Sequence, residues 1–458
     1  MKKKLTVQEY VVVASMLFGL FFGAGNLIFP VHMGQMAGSQ LVPATLGFLI
    51  TGVGLPLLSV AALGISKSEG LFDLSRKVSR PYAYFFTCLL YLTIGPFFAI
   101  PRCATTAFTV GIEQAVPQAA ERLRLWLLVF SAVFFAAALL FSLFPGKILT
   151  WVGKILNPFF LLFLGILIIV ALVKPSAAIS AVAPEGAYAS QAFSTGFLEG
   201  YNTMDVLAGL AFGIIVVQVI RELGVTDADA VASSTVKAGV FSSLLMALIY
   251  LAVTVVGAQS RGLFATSENG GIALAQIARH YLGSAGLVIL AATVTLACLK
   301  TSVGLITSCA ETFCGMFPKG PGYRAWAVLF TLISFALSNF GLSTIISYSV
   351  PVLMFLYPLA IALVLLALFG RFYRHDRAVY ISVIVCTLLA ALYDLICALP
   401  EGLYDALHAD AVQAFGLRVL PFAGAGLGWI CPLALGFVIG LAVHLMQKIQ
   451  DKIKKQRS

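Results

Sequence analysis

Apolar runs long enough to cross a bilayer follow one another along the whole chain, each closed by a short cluster of charge, glycine or proline. A spanning helix needs about 20 apolar residues. Runs of that kind predict twelve helices, at about 8–35, 41–65, 81–112, 125–145, 148–173, 194–220, 236–258, 284–315, 325–341, 343–369, 378–399 and 424–447. The two longest connections, about 259–283 and 400–423, leave no room for a soluble domain. In the first of them, the apolar–polar stretch Ile272 to Tyr281 predicts a short helix on the rim of the protein. The fold class is all-α and integral to a membrane.

Two runs are interrupted as ordinary spanning helices are not. The first contains Gly19-Leu20-Phe21-Phe22-Gly23-Ala24-Gly25-Asn26-Leu27. Each glycine costs a helix about 1 kcal/mol and lets a ligand approach bare backbone. Gly19 and Gly23 alone would serve helix packing equally well as a G-x-x-x-G pair; Gly25-Asn26 at mid-membrane depth favours an unwound site. The sixth run reads Glu199-Gly200-Tyr201-Asn202-Thr203-Met204-Asp205. A carboxylate near the bilayer centre costs about 2.5–3.5 kcal/mol on insertion scales. Two of them so close need a bound cation, an ammonium group or a structural ion pair.

If spans 1–5 and 6–10 are repeats, their odd number inverts the second against the first, and the two breaks become equivalent. Paired broken helices mark a midplane transport site, where helix N-termini meet an anionic group and freed carbonyls hold cations. The chain then divides into a core over residues 1–370, with halves at about 8–173 and 194–370, and a remainder over 371–458 with two further helices and a basic tail.

Composition fits lipid as solvent. Hydrophobic residues are 60% of the chain and charged residues 10%, against about 25% charged in soluble domains. The formal charge of +10 would suit nucleic acid, but its placement removes the need. With the N-terminus inside, 21 of the 29 Lys and Arg residues fall on the inner side, 6 outside and two within spans. That is the positive-inside pattern, with both termini cytoplasmic and the tail on the anionic leaflet. Met1-Lys2-Lys3-Lys4 and the run behind it imitate a signal peptide, but the run continues to Pro30 and reads as the first span. The eight cysteines lack metal-ligand spacing and read as small buried hydrophobes. Asp394 and the five histidines, at span ends or in loops, read as solvated. There is no P-loop and no H-E-x-x-H, so no enzyme, ATP-driven pump, cofactor, nucleic-acid partner or obligate protein partner is expected. Secondary transport leads, with a carrier or channel for another small solute as the alternative.

The run Phe18 to Pro30, Ala99-Ile100-Pro101-Arg102, Glu199 to Asp205 and the stretch Cys298 to Glu311 resemble, in order and over nearly the whole chain, the branched-chain amino acid:cation symporter family. The resemblance implies a bacterial plasma-membrane protein that imports leucine, isoleucine and valine with H+ or Na+. It also implies the LeuT-like fold of five plus five inverted helices, here with two more. By motif, Ala24, Gly25, Asn26 and Leu27 with Gly200, Tyr201, Asn202 and Asp205 would bind substrate, its carboxylate on backbone N–H groups. The carbonyls of Gly19 and Phe22 and the hydroxyls of Thr301 and Ser302 would hold sodium, and Glu199 joins the same coupling set. Lys300 departs from a sodium site. Its ammonium would replace the ion and load and release a proton, or be fixed in an ion pair with Asp205 or Glu199.

An apolar pocket from Phe21, Phe22, Phe98 and Tyr201 would bury a branched side chain, worth roughly 1.5–3 kcal/mol. That separates leucine from alanine but not from isoleucine. Arg102 would pair with Glu199 or serve an outer gate, or else snorkel to the interface. Glu311 would be a gate or interface residue at the inner end of span 8.

Overall fold

The computed structural model describes residues 4–23, 25–66, 68, 70–113, 120–143 and 157–457. The first half contains α1 (Val7–Phe21), α2 (Gly25–Ala37), α3 (Leu41–Leu49), α4 (Leu55–Ser66), α5 (Arg80–Leu92), α6 (Ala99–Gly111), α7 (Ala120–Leu143) and α8 (Asn157–Val173). The second contains α9 (Tyr188–Glu199), α10 (Asp205–Glu222), α11 (Ala228–Ser260), α12 (Gly270–Met316), α13 (Tyr323–Ser338) and α14 (Leu342–Phe369). The chain ends with α15 (Arg377–Cys397) and α16 (Ile430–Arg457).

Among the described residues, eight helical stretches are long and apolar enough to cross a membrane, and three shorter apolar helices accompany them. Leu125, Val133, Leu140, Leu244 and Leu248 lie exposed on the outer surface. Helices suit such a surface because each satisfies its own backbone without water.

Both expected breaks are present. α1 stops at Phe21, Phe22 turns extended, and α2 begins at Gly25. α9 runs into a 3-10 turn over Gly200–Thr203, Met204 takes a left-handed φ of 62°, and α10 starts at Asp205. A non-glycine residue there costs roughly 1–2 kcal/mol, so packing imposes this break against local preference. A third irregularity, at Gly95-Pro96 between α5 and α6, interrupts what the hydropathy pattern reads as one continuous span.

Packing is exchanged between the two halves. α2 lies on α11, as α9 and α10 lie on α3 and α4. α7 touches α12 as α13 touches α6, and α8 touches α12 as α14 touches α6. Glycines allow the closest approaches. A Cβ on Gly34 or Gly257 would overlap main-chain carbonyls across the α2–α11 contact, and one on Gly47 or Gly196 would do the same between α3 and α9. α15 and α16 pack on each other, and α15 leans on α14.

Several expectations need correction. α11 begins at Ala228 rather than near 236, because Asp227 accepts the Ala230 N–H at 2.9 Å and caps a polar first turn that hydropathy cannot see. The rim helix is the opening of α12, bent into the span at Gly283 (φ 66°). Residues 148–156 of the fifth predicted span lie outside the described residues. Asp394 is buried, not solvated, and lies near Tyr201 of the sixth-span break. Three histidines are half-buried and partnered: His32 with the Ser267 carbonyl at 3.0 Å, His375 with Tyr380 at 3.1 Å, and His444 with Asp376 at 2.5 Å. All eight cysteines are free and at least half-buried.

Candidate functional site

The breaks meet at one cavity of about 40 Å³, walled in part by Phe21, Gly25, Asn26, Arg102, Asp205 and Thr301. Asn26 organises it. Its Oδ1 accepts the Gly23 N–H at 2.9 Å, bracing the chain where α1 ends. Its Nδ2 donates to Asp205 Oδ2 at 2.7 Å and also to the Tyr250 hydroxyl. Tyr250 in turn donates to Asp205 Oδ2 at 3.0 Å. Three buried side chains thus close a ring that ties the first break, the sixth break and α11 together. Each of the three thereby satisfies polar atoms of the other two, as buried polar groups ordinarily must.

Asp205 occupies the first position of α10, where unbonded N–H groups and the helix dipole favour negative charge. Its own N–H reaches Thr203 Oγ1 at 3.4 Å, and that hydroxyl donates to the Gly200 carbonyl at 2.9 Å. α2 starts at Gly25 on the cavity wall in the same way. Two helix starts and two helix ends therefore converge on one space, which suits a ligand carrying one group of each charge.

Arg102 is buried at 4% exposure, which removes the snorkelling reading. Its Nη1 donates to the Asn202 carbonyl at 2.7 Å. The guanidinium lies 5.1 Å from the Phe29 ring centre, within cation–π range. A Cβ on Gly25 would sit 3.0 Å from Nη2, so the guanidinium touches both breaks. The expected pair with Glu199 is replaced by a relay, because Asn202 gives its carbonyl to Arg102 and its amide to Glu199 at 3.3 Å.

On α12, Thr301 faces Gly23 and donates to the Ala297 carbonyl at 3.1 Å, which leaves its lone pairs available. Ser302 is fully buried and its hydroxyl has no hydrogen-bond partner. Lys300 is half-buried and off the cavity wall, since adjacent helical residues point about 100° apart.

Other expected residues sit elsewhere. Gly19 and the buried Leu27 are not part of the wall, and the Phe22 ring stacks on Phe18 and Tyr250. Gly200 packs on Thr51, Tyr201 stacks on Tyr357 at 4.0 Å, and neither they nor Phe98 line the cavity. Glu311 is exposed, and Ala24 lies outside the described residues. Sequence reasoning missed Tyr250, which with Thr254 carries one of only two hydroxyls in the apolar run Leu244 to Val256. It also missed Ile94, Ala208, Phe212 and Leu305, apolar wall residues with no distinguishing pattern. The volume admits about three waters and is too small for an amino acid of leucine's size.

The family described as branched-chain amino acid transport protein matches residues 6–447. A branched-chain amino acid permease BrnQ from Lactobacillus delbrueckii subsp. lactis is 53% identical over 439 residues, covering 96% of this chain and 97% of that protein. The permease BrnQ of Escherichia coli K12 is 37% identical over 441 residues, covering 96% and 97%. Both are named as permeases, not enzymes. Among solved structures, inward-facing Mhp1 matches with a TM-score of 0.59 at 14% identity, over 96% of this chain and 91% of that one. MhsT in complex with L-phenylalanine matches with a TM-score of 0.56 at 15% identity, over 97% and 99%. At such identities the likeness is one of fold, and the fold is LeuT-like.

Proposed function

This chain belongs to the branched-chain amino acid transport protein family, and from that premise we propose that it imports leucine, isoleucine and valine by symport with a cation, H+ or Na+. The observation that carries the reading is the ring of Asn26, Tyr250 and Asp205, which sets a carboxylate and two helix starts around one space. The substrate carboxylate is received by N–H groups of Ala24, Gly25 and Asn26. Its ammonium goes to Asp205 and to carbonyls at the ends of α1 and the turn Gly200–Thr203. The branched side chain lies among Phe21, Ile94, Ala208, Phe212 and Leu305, all on the cavity wall. Arg102, held to both breaks, releases only when they part and acts as a gate.

For sodium, the ligands are the hydroxyls of Thr301 and Ser302 with the carbonyls of Gly19 and Phe22. A buried hydroxyl without a partner at Ser302 supports that assignment. For a proton, Lys300 beside them is the loading group. We place twelve crossings, two inverted halves over about 8–173 and 194–370, two added helices, and both termini in the cytoplasm of a bacterial cell. The exchanged packing supports the repeat, and the bias of basic residues supports the orientation.

The test is radiolabelled leucine uptake into proteoliposomes, with sodium and proton gradients imposed separately. Concentrative uptake is expected under one of them, with competition from isoleucine and valine but not from lysine or glutamate. Leucine uptake undisturbed by excess valine would remove the shared site, and purely downhill flux would remove symport.

A further inference from the structure

Asp394, near the end of α15, is a buried carboxylate at 3% exposure with no basic partner among the described residues. Its Oδ2 accepts no hydrogen bond. Facing it is Tyr201 of the sixth-span break, whose hydroxyl is likewise unpartnered. The Trp429 indole N–H approaches that hydroxyl without closing a bond. The other titratable groups facing Asp394 are Tyr393 and Cys397 on its own helix. α14, α16 and the helix Asp410–Val419 pack on α15 but set no charged side chain against the carboxylate. The carboxylate and the hydroxyl are thus buried near each other with no bond between them, and the indole adjoins the hydroxyl. Buried polar groups are ordinarily satisfied, and a bare carboxylate in apolar surroundings must be neutralised.

We propose that Asp394 is a proton-binding site, separate from Asp205, whose protonation decides whether it accepts a hydrogen bond from Tyr201 or donates one to it. The groups present fit a proton better than a metal ion, because among the described residues no three His, Cys, Asp or Glu side chains gather here to hold a metal. Ionised, Asp394 accepts from the Tyr201 hydroxyl. Protonated, it donates its own O–H to the Tyr201 oxygen. The proton comes from water and returns to it.

The change reaches the core directly. Tyr201 lies in the turn Gly200–Thr203, stacks on Tyr357, and precedes Asn202, whose carbonyl holds Arg102. Gly426 (φ 69°) sits tightly against Leu198 and near Met354, pinning the segment between the two added helices onto the core. The added helices thereby bias the gate through one tyrosine.

Trp429 serves as the reporter. With Trp126, Trp151 and Trp326 replaced by Phe, its emission is followed in nanodiscs from mildly acidic to mildly alkaline pH, in choline and in sodium buffers. A single titration is expected, the same in both salts, retained in Asp205→Asn and lost in Asp394→Asn. Asp394→Glu should titrate with a displaced midpoint, which keeps the test decisive if the Asn variant does not stay monodisperse. Emission independent of pH, a titration surviving Asp394→Asn, an unmoved midpoint in Asp394→Glu, or a change driven by sodium at fixed pH overturns the proposal. No amino acid is transported in this experiment, so its failure is separate from any failure of the import reading.

Discussion

At the scale of single residues, Asp205 is an acceptor surrounded by donors. Asp205→Asn keeps the volume but removes the charge and turns an N–H group on Asn26 or Tyr250. Expression and insertion should survive while leucine accumulation is abolished, checked by uptake alongside membrane yield. Tyr250→Phe is gentler. It leaves Asn26 and Asp205 each short of one partner, a cost of about 1–3 kcal/mol, so apparent leucine affinity should fall roughly tenfold or more, read from the concentration dependence of uptake. Lys300→Met should abolish proton-driven accumulation and spare leucine exchange; normal proton-driven accumulation in that variant would end the loading role. Asn26 and Asp205 were legible in the sequence because polar groups at mid-membrane depth are expensive and must be doing something. Tyr250 was not, since one hydroxyl in an aliphatic run is commonplace. Tyr201 was placed on the wrong side of its turn, because the direction of a side chain in a broken helix follows from φ and ψ, which composition does not reveal. Asp394 is buried although hydropathy treats the ends of spans as wet, because packing brings the sixth-span break, with Tyr201, near it.

At the scale of elements, the glycine contacts decide how closely the halves approach. Gly196→Ala and Gly257→Ala each put a methyl group into a facing carbonyl, of Ala44 and Val31 respectively. Overpacking of this kind typically costs 1–3 kcal/mol, so both variants should unfold at lower temperature in detergent and lose uptake. Gly304→Ala is the control, since nothing lies near its added carbon. It should leave thermal unfolding unchanged or raise it slightly, as alanine favours a helix by roughly 0.5–1 kcal/mol over glycine. The helices themselves were readable from apolar runs, and the two breaks from glycine, asparagine and paired carboxylates. The early start of α11 was not, because its first turns are polar and are held by the Asp227 cap. The interruption at Gly95-Pro96 was also overlooked, although both residue types disfavour a helix interior.

For the whole molecule, orientation follows from where basic residues lie. In a cysteine-free background, Lys448→Cys should react with an impermeant maleimide only from the cytoplasmic side, and Arg418→Cys only from the other; the reverse labelling would invert the topology. The exchange of contacts between halves could not be read from the chain, whose two halves are too dissimilar to align, and emerges only once α2 and α11 are seen to repeat the fit of α9 and α10 on α3 and α4. The small size of the central cavity has a consequence for the membrane around it. Space for about three waters is too short to sustain a conducting file across a bilayer. Proteoliposomes that hold the protein but no amino acid are therefore expected to keep an imposed ion gradient as long as empty vesicles do, read with a potential-sensitive dye.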